Sequence, residues 1–178
     1  MELPAFNPEQ ITAINRSTLV AEDLVSSFYK LSSSQWLKKK YDIKTMMDLL
    51  PDEIVDGPFA QIVQYKGRPR GSSLESDSYD FYKICIQDHA ILSVTHEFPN
   101  LHLFPFSLYI IIHELIHVVR FIQYSQNFYA SFEEKMNEER RVHEKTRDVL
   151  KDSKIQGVKD VFDFYHQWLQ PLDSMKAR

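Results

Sequence analysis

The stretch FSLYIIIHELIHVVRFI, residues 106–122, is the most hydrophobic part of the chain and predicts a helix that lies in the protein core. Apolar side chains occur on every face of this helix, as they do in helices that are buried all round. His113 and His117 are four residues apart and therefore project from one face, about one turn from each other, with Glu114 beside them. Burying two imidazoles and a carboxylate without partners is costly, and a bound cation would provide one partner.

The segment His113-Glu114-Leu115-Ile116-His117 resembles the His-Glu-x-x-His signature of the zincin metallopeptidases. The resemblance covers this helix, with a partial match in a later one. It implies that His113 and His117 bind Zn2+, that Glu114 is the general base, and that the fold is zincin-like with an active-site helix at about 106–124. The alternative is a buried helix whose histidines only hydrogen-bond to neighbouring side chains.

Composition predicts a single soluble globular domain over residues 1–178, since 43% of the residues are hydrophobic and 26% are charged. A net charge of −4 gives no reason to expect nucleic acid as a partner. The lone Cys85 excludes an internal disulfide and fits a reducing compartment. Met1–Asn7 lacks the features of a signal peptide, and ionisable residues interrupt the apolar stretch, which argues against a membrane span. We therefore expect a cytoplasmic protein without a membrane partner.

The first hundred residues predict a helical scaffold followed by a small antiparallel sheet. Asn7 has the features of a helix N-cap and Pro8 those of a first helical residue, so the first helix should begin there. The helical scaffold is expected to occupy residues 1–55. β-branched and aromatic residues predict strands within residues 58–100. The expected elements are helices over Pro8–Leu31 and Gln35–Leu50, and strands over Phe59–Tyr65 and Ser78–Gln87.

The remaining helices, within residues 106–170, would carry the metal site. The helix predicted over Phe128–Lys151 has two ionisable residues, Glu139 and His143, on the side expected to face the core. Successive residues of an α-helix are rotated by about 100°, and on this basis Glu139 and His143 lie on the same side of the helix as a set of mostly apolar residues. That set comprises Phe132, Met136, Thr146 and Leu150. Glu134 and Glu138 fall on the expected solvated face. Another amphipathic helix is expected over Val158–Leu169, and the fold class is therefore α+β, mainly helical, with the sheet packed on helices.

A catalytic zinc site has three protein ligands and one open position. The position of Glu139 on the core side favours it as the third ligand. A glutamate on a following helix is the third ligand of the gluzincins, to which the chain is similar. In their thermolysin-like branch that glutamate follows an asparagine and precedes an aspartate by four residues, but here Asn137-Glu138 is followed by Val142 at the aspartate position. The open alternatives are His143, Glu138 and Glu134.

These residues predict a zinc-dependent metallopeptidase that acts on a peptide or protein substrate. The resemblance implies that Glu114 accepts a proton from a metal-activated water as that water attacks the carbonyl. A nearby donor would stabilise the oxyanion, and the candidates are Tyr124, His143, Tyr165 and His166. Two alternative functions stay open. One is a helical-bundle dimetal protein of the di-iron type, built from Glu114/His117 and Glu139/His143, and the other is a non-catalytic metal-binding interaction module.

Overall fold

The computed structural model describes residues 2–32, 40–123 and 130–168. In these parts of the chain, five α-helices pack with a small sheet, which confirms the α+β, mainly helical class. The helices are α1 (Pro8–Tyr29), α2 (Asp88–Glu97), α3 (Leu103–Gln123), α4 (Phe132–Leu150) and α5 (Val158–Trp168), and the strands are β1 (Tyr41–Lys44), β2 (Ala60–Gly67) and β3 (Tyr79–Ile86).

The sheet has three strands in the order β1-β3-β2 among the described residues. β2 and β3 are antiparallel, from the pair Ala60–Ile86 to the pair Gly67–Tyr79, as the two predicted strands require. β1 lies on the other side of β3 and runs parallel to it, with Tyr41 opposite Tyr82. The sheet is therefore mixed, and residues 88–97, which the sequence placed in the sheet segment, form α2.

The prediction of a helix over Gln35–Leu50 is wrong for residues 40–50, the part of this range that the structure describes. Tyr41–Lys44 is a strand and Met46–Asp48 is a short 3-10 helix, whereas residues 33–39 lie outside the described residues. Tyr41 is buried and donates its hydroxyl to Glu22 of α1 at 2.8 Å. Pairing with β3 and burial of Tyr41 stabilise the strand, because tertiary contacts override a weak local helix preference.

The central helix α3 is buried along most of its length, as the sequence predicts. Every residue from Pro105 to Val119 is buried, and the helix packs against α1, α4, α5 and β2. A hydrogen bond of 2.7 Å between the hydroxyls of Ser17 and Ser107 joins α1 to α3. This helix holds the core together and presents the two predicted histidines to α4.

By length and composition alone, α3 is the one helix among the described residues that could cross a membrane. However, 83% of its apolar stretch is buried inside the protein. Its apolar side chains therefore already have protein partners, which favours the core helix of a soluble protein over a membrane span.

α4 begins later than predicted, and the predicted start at Phe128 lies outside the described residues. The helix begins at Phe132 because Ser131 is its N-cap. The Ser131 hydroxyl accepts from the backbone N–H of Glu134 at 3.3 Å, and the Glu134 carboxylate accepts from the backbone N–H of Ser131 at 3.2 Å. This reciprocal pair is a capping box, which satisfies N–H groups that the first turn leaves free.

Gly157, just before α5, is a position where we expect alanine to destabilise the fold. Its φ is +91°, and an added Cβ would lie 2.8 Å from Cγ of Pro105. Alanine would incur about 1–2 kcal/mol of backbone strain and roughly 1–3 kcal/mol of overpacking. Gly71 is the matched control because its φ is +87° with no heavy atom within 4 Å of an added Cβ. Urea denaturation should show a larger loss of unfolding free energy for Gly157→Ala than for Gly71→Ala. Equal losses in the two variants would contradict the proposed clash.

Candidate metal site

His113 and His117 face a common point beside α3. Their Nε2 atoms are 3.1 Å apart, and both residues are buried, with 7% of each exposed. The i, i+4 spacing on a regular helix brings the two rings together, as the sequence predicts. Two imidazole nitrogens that face each other at this distance need a proton or a cation between them, because each lone pair repels the other.

Glu139 reaches the same point from α4. Its Oε2 lies 3.1 Å from Nε2 of His113, and its Oε1 lies 2.8 Å from Nε2 of His117. Ligand bonds of 2.0–2.1 Å in a tetrahedral zinc site place neighbouring ligand atoms about 3.3 Å apart. The three side chains are therefore spaced as ligands of one ion, and the Glu139 side chain is 25% exposed on the outer side of the group.

His143, one turn after Glu139 on α4, completes the cluster. Its Nε2 is 4.0 Å from Oε2 of Glu139, and ligand atoms of His113, Glu139 and His143 all lie within 4.8 Å of one another. The other ring nitrogen, Nδ1, is hydrogen-bonded to the hydroxyl of Tyr109 at 2.8 Å. The described residues thus include a His/Glu cluster that could hold a metal ion.

The charges in the cluster are strongly coupled. Burial opposes ionisation of Glu139, but His117 and His113 outweigh it and hold the pKa of Glu139 well below its usual range. Burial likewise disfavours charge on His117, whereas Glu139, together with Glu114 and Glu138, raises the pKa of His117. Burial, followed by the charge of His113, lowers the pKa of His143 to about 2. The ionised carboxylate of Glu139 is the form that binds a metal ion, whereas a protonated His117 would have to release its proton when a metal ion binds.

Glu114 is buried next to this cluster, with 9% of the residue exposed. Its charge is one of the causes that raise the pKa of His117. The pKa of Tyr165 is raised mainly by burial, and the charge of Glu114 adds to this effect. Glu114 therefore lies within electrostatic reach of the histidine pair and of the aromatic side of the cluster. This position is suitable for a group that exchanges protons with a molecule held near the histidines.

The structure places Glu138 and Glu134 away from the cluster. Glu138 was expected on the solvated face, which is wrong: it is 5% exposed and accepts hydrogen bonds from Arg120 of α3. Arg141 adds a contact of 3.3 Å to the same carboxylate. The largely buried Arg120 is the charge partner of Glu138, which a helical wheel of α4 alone cannot show. Glu134 is exposed and belongs to the capping box at the start of α4.

Of the four predicted oxyanion donors, the structure places some at the cluster and others away from it. His143 lies in the cluster, and Tyr165 is buried with its ring stacked on that of Tyr109 at 4.1 Å between centroids. His166 is exposed, and Tyr124 lies outside the described residues. Sequence reasoning missed Tyr109, although its position four residues before His113 places it on the side of the same helix that faces the cluster.

No family model, curated protein or solved structure matches this chain. The function is therefore argued from the chemistry and geometry of the cluster formed by α3 and α4.

Proposed function

We propose that the protein is a zinc-dependent metallopeptidase of the zincin type, with His113, His117 and Glu139 as the metal ligands. One observation carries the proposal: the two Nε2 atoms and the Glu139 carboxylate converge from two helices at 2.8–3.1 Å from one another. Two histidines and one glutamate form one of the ligand sets of catalytic zinc sites, in which a fourth position is open to water or substrate.

The donor set supports one zinc ion better than the alternatives. Imidazole nitrogen suits zinc, whereas Mg2+ and Ca2+ prefer sites made of oxygen ligands. Di-iron bundles use a glutamate from each of two helices and a Glu-x-x-His motif from each of two more. Here Glu138 is paired with arginines, so the buried Glu114 and the partly exposed Glu139 are the carboxylates next to the histidines among the described residues. Two carboxylates are too few for that kind of dimetal site.

The proposed reaction is the hydrolysis of a peptide bond. When bound, zinc supplies Lewis-acid chemistry and lowers the pKa of coordinated water toward about 7. Glu114 accepts the proton of the attacking water on its carboxylate and then donates it to the nitrogen of the leaving amine. Glu139 is the partly exposed member of the group, so the substrate approaches from its side. The substrate is a peptide or protein, and the buried thiol of Cys85 fits the cytoplasm.

Metal analysis combined with peptide cleavage tests this proposal. The purified protein should contain one zinc per chain, and cleavage of a mixed peptide library, followed by mass spectrometry, should stop after chelation and return with added zinc. His113→Ala and Glu139→Ala should each lose zinc, whereas the matched control His96→Ala, at an exposed histidine of α2, should retain it. Two irons per chain, or full cleavage by the metal-free protein, would contradict the proposal.

A further inference from the structure

Tyr109 and His143 form a buried pair at the edge of the metal cluster. The Tyr109 hydroxyl lies 2.8 Å from Nδ1 of His143, and Tyr109 has no exposed surface. Tyr109 is on α3, one turn before His113, whereas His143 is on α4. Among the described residues, the Tyr109 hydroxyl has no other hydrogen-bond partner than His143. The pair therefore joins the two helices that carry the cluster through a single hydrogen bond.

Which of the two groups donates this hydrogen bond follows from the lack of any other acceptor for the Tyr109 hydroxyl among the described residues. A buried O–H that donates to no acceptor costs about 1–3 kcal/mol, so the Tyr109 hydroxyl donates to Nδ1 of His143. A neutral imidazole has one N–H, so an Nδ1 that accepts places the proton on Nε2. The imidazolium form also carries a proton on Nε2. A free lone pair on Nε2 exists only in the tautomer that leaves the Tyr109 hydroxyl hydrogen without an acceptor.

We infer that His143 is a hydrogen-bond donor that faces the metal centre, not a fourth metal ligand, and that Tyr109 sets this role by holding the Nε2–H tautomer. Nε2 of His143 lies 4.0 Å from Oε2 of Glu139, on the same side as the converging ligand atoms. The three remaining ligands then leave one position open. The catalytic consequence, which rests on the proposed peptidase function, is that this N–H stabilises the negative oxygen of the scissile carbonyl in the transition state.

The tautomer can be measured in the metal-free protein, independently of any activity. In 15N-labelled protein, NMR correlation of the imidazole nitrogens should show His143 protonated at Nε2 and unprotonated at Nδ1. Tyr109→Phe should produce a mixture of tautomers. Tyr165→Phe is the matched control, because Tyr165 stacks on Tyr109 but its hydroxyl makes no hydrogen bond among the described residues. An unprotonated Nε2 in the unmodified protein would overturn the inference.

The ligand question is tested with Co2+ as a spectroscopic probe in the full chain. His143→Ala should leave the visible absorption bands of bound Co2+ at their wild-type positions, whereas His113→Ala should abolish them. Peptide cleavage should fall about 10²–10³-fold in kcat for His143→Ala, with partial recovery in His143→Gln, which keeps an N–H donor. Bands that shift in His143→Ala as in His113→Ala would overturn the inference.

The two proposals fail in different ways. If the unmodified protein bound neither Zn2+ nor Co2+, the peptidase proposal would fail, although the NMR result for the tautomer would still stand. If metal and cleavage were present but His143→Ala altered the Co2+ bands, the peptidase proposal would stand and the donor role of His143 would fail.

Discussion

Glu114→Gln should lower the rate of peptide cleavage by about 10²–10⁴-fold, the range typical for the loss of general acid–base catalysis. Glutamine has nearly the shape of glutamate but has no carboxylate to accept a proton from water. Because Glu114 is buried, a neutral amide replaces it without adding a charge to the core. Zinc content should stay at the wild-type level, because His113, His117 and Glu139 are unchanged. Cleavage kinetics and metal analysis on the same preparation measure both quantities.

Glu144→Gln provides the control for this substitution. Glu144 is an exposed glutamate on α4, so the same chemical change there should leave both cleavage and zinc content unchanged. Full activity in Glu114→Gln would show that another group accepts the proton. A loss of metal in Glu114→Gln would instead place Glu114 among the ligands, as the dimetal alternative requires.

Local periodicity was sufficient to predict the features that lie within one helix. The apolar run at 106–122 becomes α3, and the i, i+4 spacing brings the rings of His113 and His117 together. The helical repeat also placed Glu139 and His143 on the side of α4 that meets them. These features depend on the geometry of a single helix, which the sequence specifies residue by residue.

Several features that depend on contacts between distant segments were not predicted. β1 forms because β3, about forty residues later, offers backbone partners to Tyr41–Lys44. Phe132 was expected on the core side of α4, but it is 56% exposed, since it lies in the first turn of the helix. Val142 and Glu138 are buried instead. The actual buried side of α4 is set by packing on α3, which a helical wheel of α4 cannot contain.

Glu138→Ala is expected to lower the free energy of unfolding by about 3–5 kcal/mol, because it removes one partner of a buried ion pair. The side chains of Arg120 and Glu138 are 12% and 6% exposed, so the Arg120 guanidinium would be left in the core without this carboxylate. Arg141→Ala is the matched control: Arg141 contacts the same carboxylate, but its side chain is 54% exposed, and its loss should cost less than about 1 kcal/mol. Urea denaturation of the metal-free variants measures both values.

We expect the ion pair also to position the candidate metal site, and a third variant separates this role from stability. Arg120 of α3 lies three residues after His117, and Glu138 of α4 directly precedes Glu139, so their contact should hold α4 in one rotation against α3. Arg120→Met combined with Glu138→Leu removes both charges of the pair, and Arg141, which also loses this carboxylate, is 54% exposed and stays solvated. The unfolding free energy of this variant should therefore lie within about 1–2 kcal/mol of wild type, because well-packed apolar replacements of buried ion pairs are often neutral. Its zinc affinity should nevertheless fall about 10- to 100-fold, as when outer-shell contacts are lost. If zinc affinity changed in parallel with the unfolding free energy in all three variants, the ion pair would only stabilise the fold and would not position Glu139.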